Sequence, residues 1–342
     1  MTTTARSSQL VTLADVAKSK NKAIGSVAEV LVQDNPVLNV LPYQVMNEGT
    51  VHKESIRSSL PAVYYRKANQ PIPASKSEIE ERTFQASHFE SKSQIDKAVA
   101  ARGGADRVAF NRWNQAQGHI QAMGQEHASL LIYGSPESSN RKSAGLADIY
   151  SSLSASEPSS KQIINAGGSG SDNMSIYCLH FGPQAIFGVY PAGTQAGLKR
   201  TDMSAGGKLV QIHGTDENGD AGTFWGYEED FEIDHGLVVK DYRQGGRIAN
   251  IDKSDLISGS GAADLLDLMI SLHYRIHNKQ NGSGVWLVNR TIEAILHKQA
   301  LTKVGAGAGL TFQNFAGMQV TSFLGRPVLC CDALLESESA VS

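Results

Sequence analysis

The sequence predicts an α+β fold: a long helix, then a β-rich insertion, then mixed helix and strand, with no βαβ unit recurring at a fixed period. Three observations carry this. Between residues 105 and 133, Phe110, Trp113, Ala116, Ile120, Met123, His127 and Leu130 step by three or four, the spacing of one helix face. From 150 to about 260 the chain is glycine-rich, with strand candidates SIYCLHF, AIFGVYP, KLVQIHG, FWGYEEDFEIDHGLVVKDYR and RIANI. Residues 262–278 return to helical spacing, with Leu265, Leu268 or Met269, Leu272 and Ile276 on one side.

Taken in order, residues 1–44 are Ser/Thr-rich and then weakly amphipathic. Thr12 can cap a short helix carrying Leu13 and Val16, and SVAEVLVQDNPV ends at Pro36. Segments this short bury too little to fold alone, which predicts an arm that docks elsewhere. Residues 45–95 predict a long two-stranded excursion. Val51, Ser55, Arg57 and Val63 to Arg66 are strand-like, Asn69 to Ser77 form a proline-punctuated tip, and Ile79 to Phe89 return. An isolated hairpin is marginal in water, so this one needs outside support. The 105–133 helix contains Gly118 and Gly124 and stops at Gly134 and Pro136. Asn218-Gly219 predicts a tight turn. After the 262–278 helix come a buried strand at Val285–Val288, a helix over Thr291–Lys303, a GAGAG loop at 305–309 and two strands, MQVTSF and PVLCCDALL.

Composition narrows the function. A chain of 342 residues, 41% hydrophobic and 19% charged, is an ordinary folded protein with room for two domains. Its 31 basic and 34 acidic residues leave a net charge of −3, with no basic field to hold nucleic acid by counterion release. Three cysteines, two of them adjacent (Cys330, Cys331), make no disulfide framework and predict a reducing compartment. The apolar run LLDLMISL is too short to span a bilayer, and the first twenty residues lack the apolar stretch of a signal peptide, so a soluble protein without membrane partner is expected.

The motifs that could carry chemistry each fail on context. Gly206-Gly207-Lys208 has Asp202 where a phosphate loop needs its first glycine, and Leu209 where it needs Ser or Thr. Gly259 and Gly261 precede a helix, but Asp264 replaces the third glycine of a dinucleotide turn; GAGAG follows a helix instead of a strand. His273 and His277 lie one turn apart, yet Arg275 between them would repel a cation and no third ligand is near. Phe231, Ile233, His235 and Leu237 alternate through the acids Glu228 to Asp234, as in a strand with a solvated acidic face. Asp216, Asn218 and Asp220 lack the glycine and glutamate of a calcium loop, Ala221 and Tyr227 standing there. No G-x-S-x-G elbow is present, and Cys330 and Cys331 end a hydrophobic strand, where one thiol is buried and inert. No catalytic, cofactor or metal residue is assigned.

An arm, an unsupported hairpin and a long helix describe a protein completed by copies of itself. The stretch SDNMSIYCLHFGPQAIFGVYPAGTQAGLKRTDM followed by GLVVKDYRQGGRIANID closely resembles the major capsid proteins of tailed bacteriophages, which adopt the Hong Kong 97-type fold. LPYQVMNEGTVHKESIRSSLPAVYYRKANQPIPASKS resembles the extended loop of that group, and IDKAVAARGG with NRWNQAQGHIQAMGQEHASLLIYG its spine-helix region. The resemblance runs in order over residues 37–335.

It implies an N-terminal arm (1–44), an extended loop (45–95), a peripheral domain with the spine helix (96–149), a mostly axial domain (150–284) and a return to the peripheral domain (285–342). It further implies a non-enzymatic shell protein of the virion, assembled in the host cytoplasm. Such a protein forms hexameric and pentameric capsomers of an icosahedral head around double-stranded DNA held without sequence specificity. Scaffolding, portal and decoration proteins are the implied partners. The candidate inter-subunit residues on the loop are Arg57, Tyr64, Arg66 and Lys67. Arg57, Arg66 and Lys67 either steer toward Glu228 to Glu232 of a neighbour or are plain solvated charge. Two rival readings remain at this point: an encapsulin-like compartment shell sharing the fold, and an unrecognised hydrolase.

Overall fold

The computed structural model describes residues 33–342 apart from 103, 105–106, 157, 216–218, 260, 262, 278–282, 303–309 and 316–317. Residues 1–32 of the expected arm, Asn218 of the expected turn and the 305–309 loop lie outside the described residues. The strands, in chain order, are β1 (Tyr43–Val45), β2 (Val51–Ser59), β3 (Glu78–Gln85), β4 (Ser87–Asp96), β5 (Ile163–Asn165), β6 (Asn173–Phe181) and β7 (Ile186–Tyr190). They continue with β8 (Gly197–Asp202), β9 (Val210–Thr215), β10 (Ala221–Val239), β11 (Gly245–Asp252), β12 (Ser283–Val288), β13 (Leu310–Phe315), β14 (Met318–Phe323) and β15 (Arg326–Cys330). The principal helices are Val108–Tyr133, Leu265–Arg275 and Arg290–Thr302.

Two compact units emerge. The larger comprises Asp34–Ser87, Ala128–Ala196 and His235–Ser342. At its centre is β6, every residue of which is buried. It pairs antiparallel with β11 on one side and β12 on the other, so that Cys178 stands opposite both Gly246 and Trp286. The alternation of side chains along a strand then sends Met174, Ile176 and Cys178 into one apolar cluster and Tyr177, Leu179 and Phe181 into another. The first cluster is completed by Leu265, Leu266, Met269 and Leu272 of one helix and Ile292, Ile295 and Leu296 of another. The second receives Ala128, Leu131 and Ile132 from the end of the long helix, with Leu146 and Tyr150. A sheet covered on both faces explains why NMSIYCLHF reads as a nearly continuous apolar run. A short helix, Lys253–Ser258, ends on Gly259 at φ 76°, a left-handed conformation that costs glycine nothing.

The smaller unit includes His88–His127 and Gly197–Asp234. Here β10 pairs antiparallel with β8 (Phe231 opposite Arg200) and with β9 (Phe224 opposite Ile212). Ala116 and Met123 of the long helix bury against Phe231 and Ile233, joined by Phe89, Ile120 and Leu198. The predicted stripe therefore holds from Ala116 onward. Its first two members differ: Phe110 and Trp113 are 41% and 47% exposed, each beneath an arginine (Arg107 at 5.7 Å, Arg200 at 5.6 Å).

Strand pairing and clustering run across two of the domain boundaries expected from the sequence. β12, which spans 284/285, pairs with β6, and β15 pairs parallel with β12, so the strands of 285–342 share a sheet with 173–181. The 150–284 block is also divided, since 197–234 clusters with 88–127. Long-range strand pairing outweighs sequence proximity in both cases. Within the described part of the expected arm, 33–44, Val37 and Leu41 are buried in the larger unit's core, and the Asn35 Oδ1 accepts from the Ala333 N–H at 3.0 Å.

Candidate assembly surface

Of the excursion expected over 45–95, only β2 and β3 make the hairpin, antiparallel from Val51 opposite Gln85 to Ser59 opposite Glu78; His88 and Phe89, expected on its returning strand, lie instead in β4, which pairs with β10. Among the described residues β2 and β3 pair with each other alone. Their base is fastened. His52 is buried with its ring edge-on to Phe187 at 5.6 Å, and its Nε2 lies 3.2 Å from Glu54. Glu54 in turn pairs with Lys240 at 2.9 Å. The Asn47 side chain donates to the Lys53 carbonyl and accepts from the Lys53 N–H (2.7 and 2.9 Å). Met46, Phe187, Val189 and Val238 close a small apolar cluster against Phe84 and Ala86.

Past the base, apolar residues lose their cover. Leu60 is 78% exposed, Val63 89% and Ile79 65%, and Tyr65 is fully exposed. Val63 to Arg66, predicted as strand, are not in one: β2 ends at Ser59, ahead of Leu60-Pro61, and proline has no N–H to continue the ladder. Of the four predicted contact residues, Tyr64, Arg66 and Lys67 share the tip. There Asn69 turns the chain at φ 68°, the Arg66 guanidinium donates to the Gln70 carbonyl at 3.4 Å, and the Lys67 N–H donates to the Gln70 side chain at 3.3 Å. Arg57 stands apart from them, within β2 opposite Ile79.

The acids expected to meet these cations on a neighbour are already engaged at home. Glu228 accepts from Lys92 at 3.2 Å and Gln94 at 2.6 Å, Asp230 lies 3.4 Å from Lys92, and Glu232 pairs with Lys199 at 2.8 Å. Glu229 is buried, not solvated, because it shares the inward face with Phe231 and Ile233, and it is held by Arg112 and Arg200, both at 2.7 Å. The register that places Lys199 opposite Glu232 is what neutralises this strand, so the steering pair is not supported.

A second anchor escaped sequence reading. Arg247 and Glu338, both buried, pair at 2.8 Å. Arg247 also donates to Ser175 Oγ at 3.0 Å and the Tyr150 carbonyl at 2.9 Å. Glu338 accepts from the Tyr133 hydroxyl at 2.6 Å and from the Ser175 hydroxyl. Nothing in SESAVS marks its glutamate as buried. Burial pushes the adjacent thiols up, Cys331 to about 11 and Cys330 to about 12, which disfavours the nucleophilic thiolate. Among the described residues no group of three or more His, Cys, Asp or Glu is placed to hold a metal, and no helix is long and apolar enough to cross a membrane.

His127 on the long helix makes the smaller unit pH-sensitive. Desolvation lowers its pKa from 6.5 to about 4. The unfolded chain therefore binds a proton between pH 6.5 and 4 that the folded chain refuses. The stability this histidine leaves intact above pH 6.5 is lost as the pH falls toward 4. At about 1.4 kcal/mol per pH unit the loss is about 3 kcal/mol. Melting followed from pH 7 to 4 should show this slope, and His127→Gln should flatten it; an unchanged slope in the variant would contradict the assignment.

Comparison with known proteins places this architecture. The family model described as major capsid protein GP7 matches residues 19–342. No curated protein matches the sequence. Among solved structures, that of bacteriophage Epsilon15 is 29% identical, covers 97% of each chain and superposes with a TM-score of 0.76. Weaker likenesses include the SrpI encapsulin of Synechococcus elongatus PCC 7942 (11% identity, 71% of this chain and 97% of that one, TM-score 0.43) and the capsid of an empty GTA particle (8%, 70% and 99%, 0.42). The fold is the Hong Kong 97-type fold of phage capsids that the sequence implied. The chain belongs to the major capsid protein GP7 family and is a shell component of a tailed-phage virion.

Proposed function

We propose that this protein closes into hexameric and pentameric rings that build an icosahedral head around double-stranded DNA, with the β2–β3 excursion lying over an adjacent subunit. The observation that carries this is the far end of the excursion: Leu60, Val63 and Tyr65 stand together in water in the isolated chain, apolar surface that a neighbouring subunit would cover. Heterologous contacts of this kind, repeated around an axis, close rings. A net charge of −3 suits a wall that encloses DNA without adhering to it. Scaffolding, portal and decoration proteins are the expected partners, assembly takes place in the host cytoplasm, and the role is structural, without catalysis.

Electron microscopy of the purified chain, with its scaffold where needed, tests this. Closed shells or ring-shaped capsomers are expected; a protein that stays monomeric under every assembly condition refutes it.

A further inference from the structure

At the foot of the excursion a polar cleft of about 710 Å³ opens among Arg57 of β2, Arg82 of β3 and residues 240–244, which join β10 to β11. Three cations in its wall are matched. Arg82 pairs with Glu80 at 3.2 Å, Arg243 with Asp241 at 2.8 Å, and Lys240 with Glu54 at 2.9 Å. The Arg57 guanidinium has no carboxylate and no hydrogen-bond partner among the described residues.

An exposed arginine alone would mean little. A second, independent feature lies in the same cleft: Gln244 is 2% exposed, and its side-chain carbonyl Oε1 is buried without a hydrogen-bond partner. Folded chains avoid this, because the desolvation of the acceptor goes unrepaid. The two needs differ in kind: Arg57 calls for an anion and Gln244 for an N–H donor. An ionised nucleic-acid phosphate supplies the first and has no proton for the second. A peptide segment bearing Asp or Glu supplies both, its carboxylate for the guanidinium and an amide N–H for the glutamine.

We infer that this cleft receives an extended, carboxylate-bearing segment of a second copy of the chain, docked on Arg57 and Gln244. The inference rests on the shell reading above and adds the chemistry of the partner to it. It differs from the steering pair, whose acids on β10 are consumed within their own chain.

The test uses assembled shells. With Arg57 retained, Ser55→p-benzoylphenylalanine places a photoreactive group in the cleft wall. Irradiation should join two copies through a peptide containing Asp or Glu. Arg57→Glu should lower the assembled fraction at fixed protein concentration about tenfold or more, and Arg57→Lys should recover part of it. Gln244→Leu should lower shell stability while leaving the melting of the unassembled subunit unchanged or raised, an outcome that a purely internal role for Gln244 does not give. Wild-type shells accompanied by normal Arg57→Glu shells, or photoproducts confined to one copy or to nucleic acid, overturn the inference and leave the shell reading standing. A wild-type chain that forms no shells overturns the shell reading itself.

Discussion

Glu338→Ala should destabilise the larger unit by about 3–5 kcal/mol, the cost of removing one partner from a buried ion pair. The size follows from what is left behind. Arg247, 4% exposed, would keep its charge with Ser175, the Tyr150 carbonyl and the face of the Tyr177 ring at 5.6 Å but no carboxylate, and the Tyr133 hydroxyl would lose its acceptor. The damage should spread along the C-terminal segment. Asp332 is clamped by Arg290 at 2.6 Å, and Glu336 by Lys253 at 2.6 Å and Thr291 at 2.5 Å. The Arg290 hydrogen bond holds the Asp332 carboxyl below its usual range, and Lys253 does the same for Glu336. Both contributions are present above the ordinary carboxylate pKa and fade as the pH falls through the lowered ones, so the variant should be most fragile in acid. Calorimetry of the unassembled subunit should show the melting point falling by about 10 °C, at a few degrees per kcal/mol for a body of this size. Replacing both partners with apolar residues, Arg247→Met with Glu338→Leu, should restore much of the loss, since the pair repays its own desolvation poorly. A Glu338→Ala melting point within about 2 °C of wild type would show that the network is not the anchor its geometry implies.

Val63→Asp combined with Tyr65→Asp should abolish shell formation and leave the subunit folded. In the isolated chain both side chains are exposed, so the fold loses no packing. In the shell each would bury apolar surface worth about 1.5–3 kcal/mol, and each aspartate would add the cost of an unpaired buried charge. The penalty falls on every subunit of a ring at once. Sedimentation velocity should find wild-type particles replaced by free subunits, while far-ultraviolet circular dichroism and melting stay unchanged. Normal particle yield from the double variant would mean that the tip is not covered on assembly.

Much of the framework was legible because it depends on local periodicity. The long helix, predicted over 105–133, runs Val108–Tyr133, and the helices near 262–278 and 291–303 run Leu265–Arg275 and Arg290–Thr302. The buried strand predicted at Val285–Val288 lies within β12, and the strand at 318–323 is β14. β13, LTFQNF, went unpredicted: its polar and apolar residues alternate weakly, and it is specified by its antiparallel register with β14. The site was half legible. Poverty of apolar residues in the excursion said that it needs cover, and the tip is indeed bare. Which charges are open and which are spent was not visible, because Lys199 and Glu232 are 33 residues apart in sequence and opposite each other in the sheet.

The sequence by itself therefore determined the elements, the class of fold and the fact that one long excursion cannot bury its own apolar residues, since all three follow from spacing and composition along the chain. Only the tertiary structure decided that Glu229 and Glu338 are buried among arginines, that 285–342 shares a sheet with 173–181, and that Arg57 and Gln244 face one cleft. The reason is physical: burial and charge pairing are properties of neighbours in space, and in this protein the decisive neighbours are brought together by strand pairing across long stretches of chain.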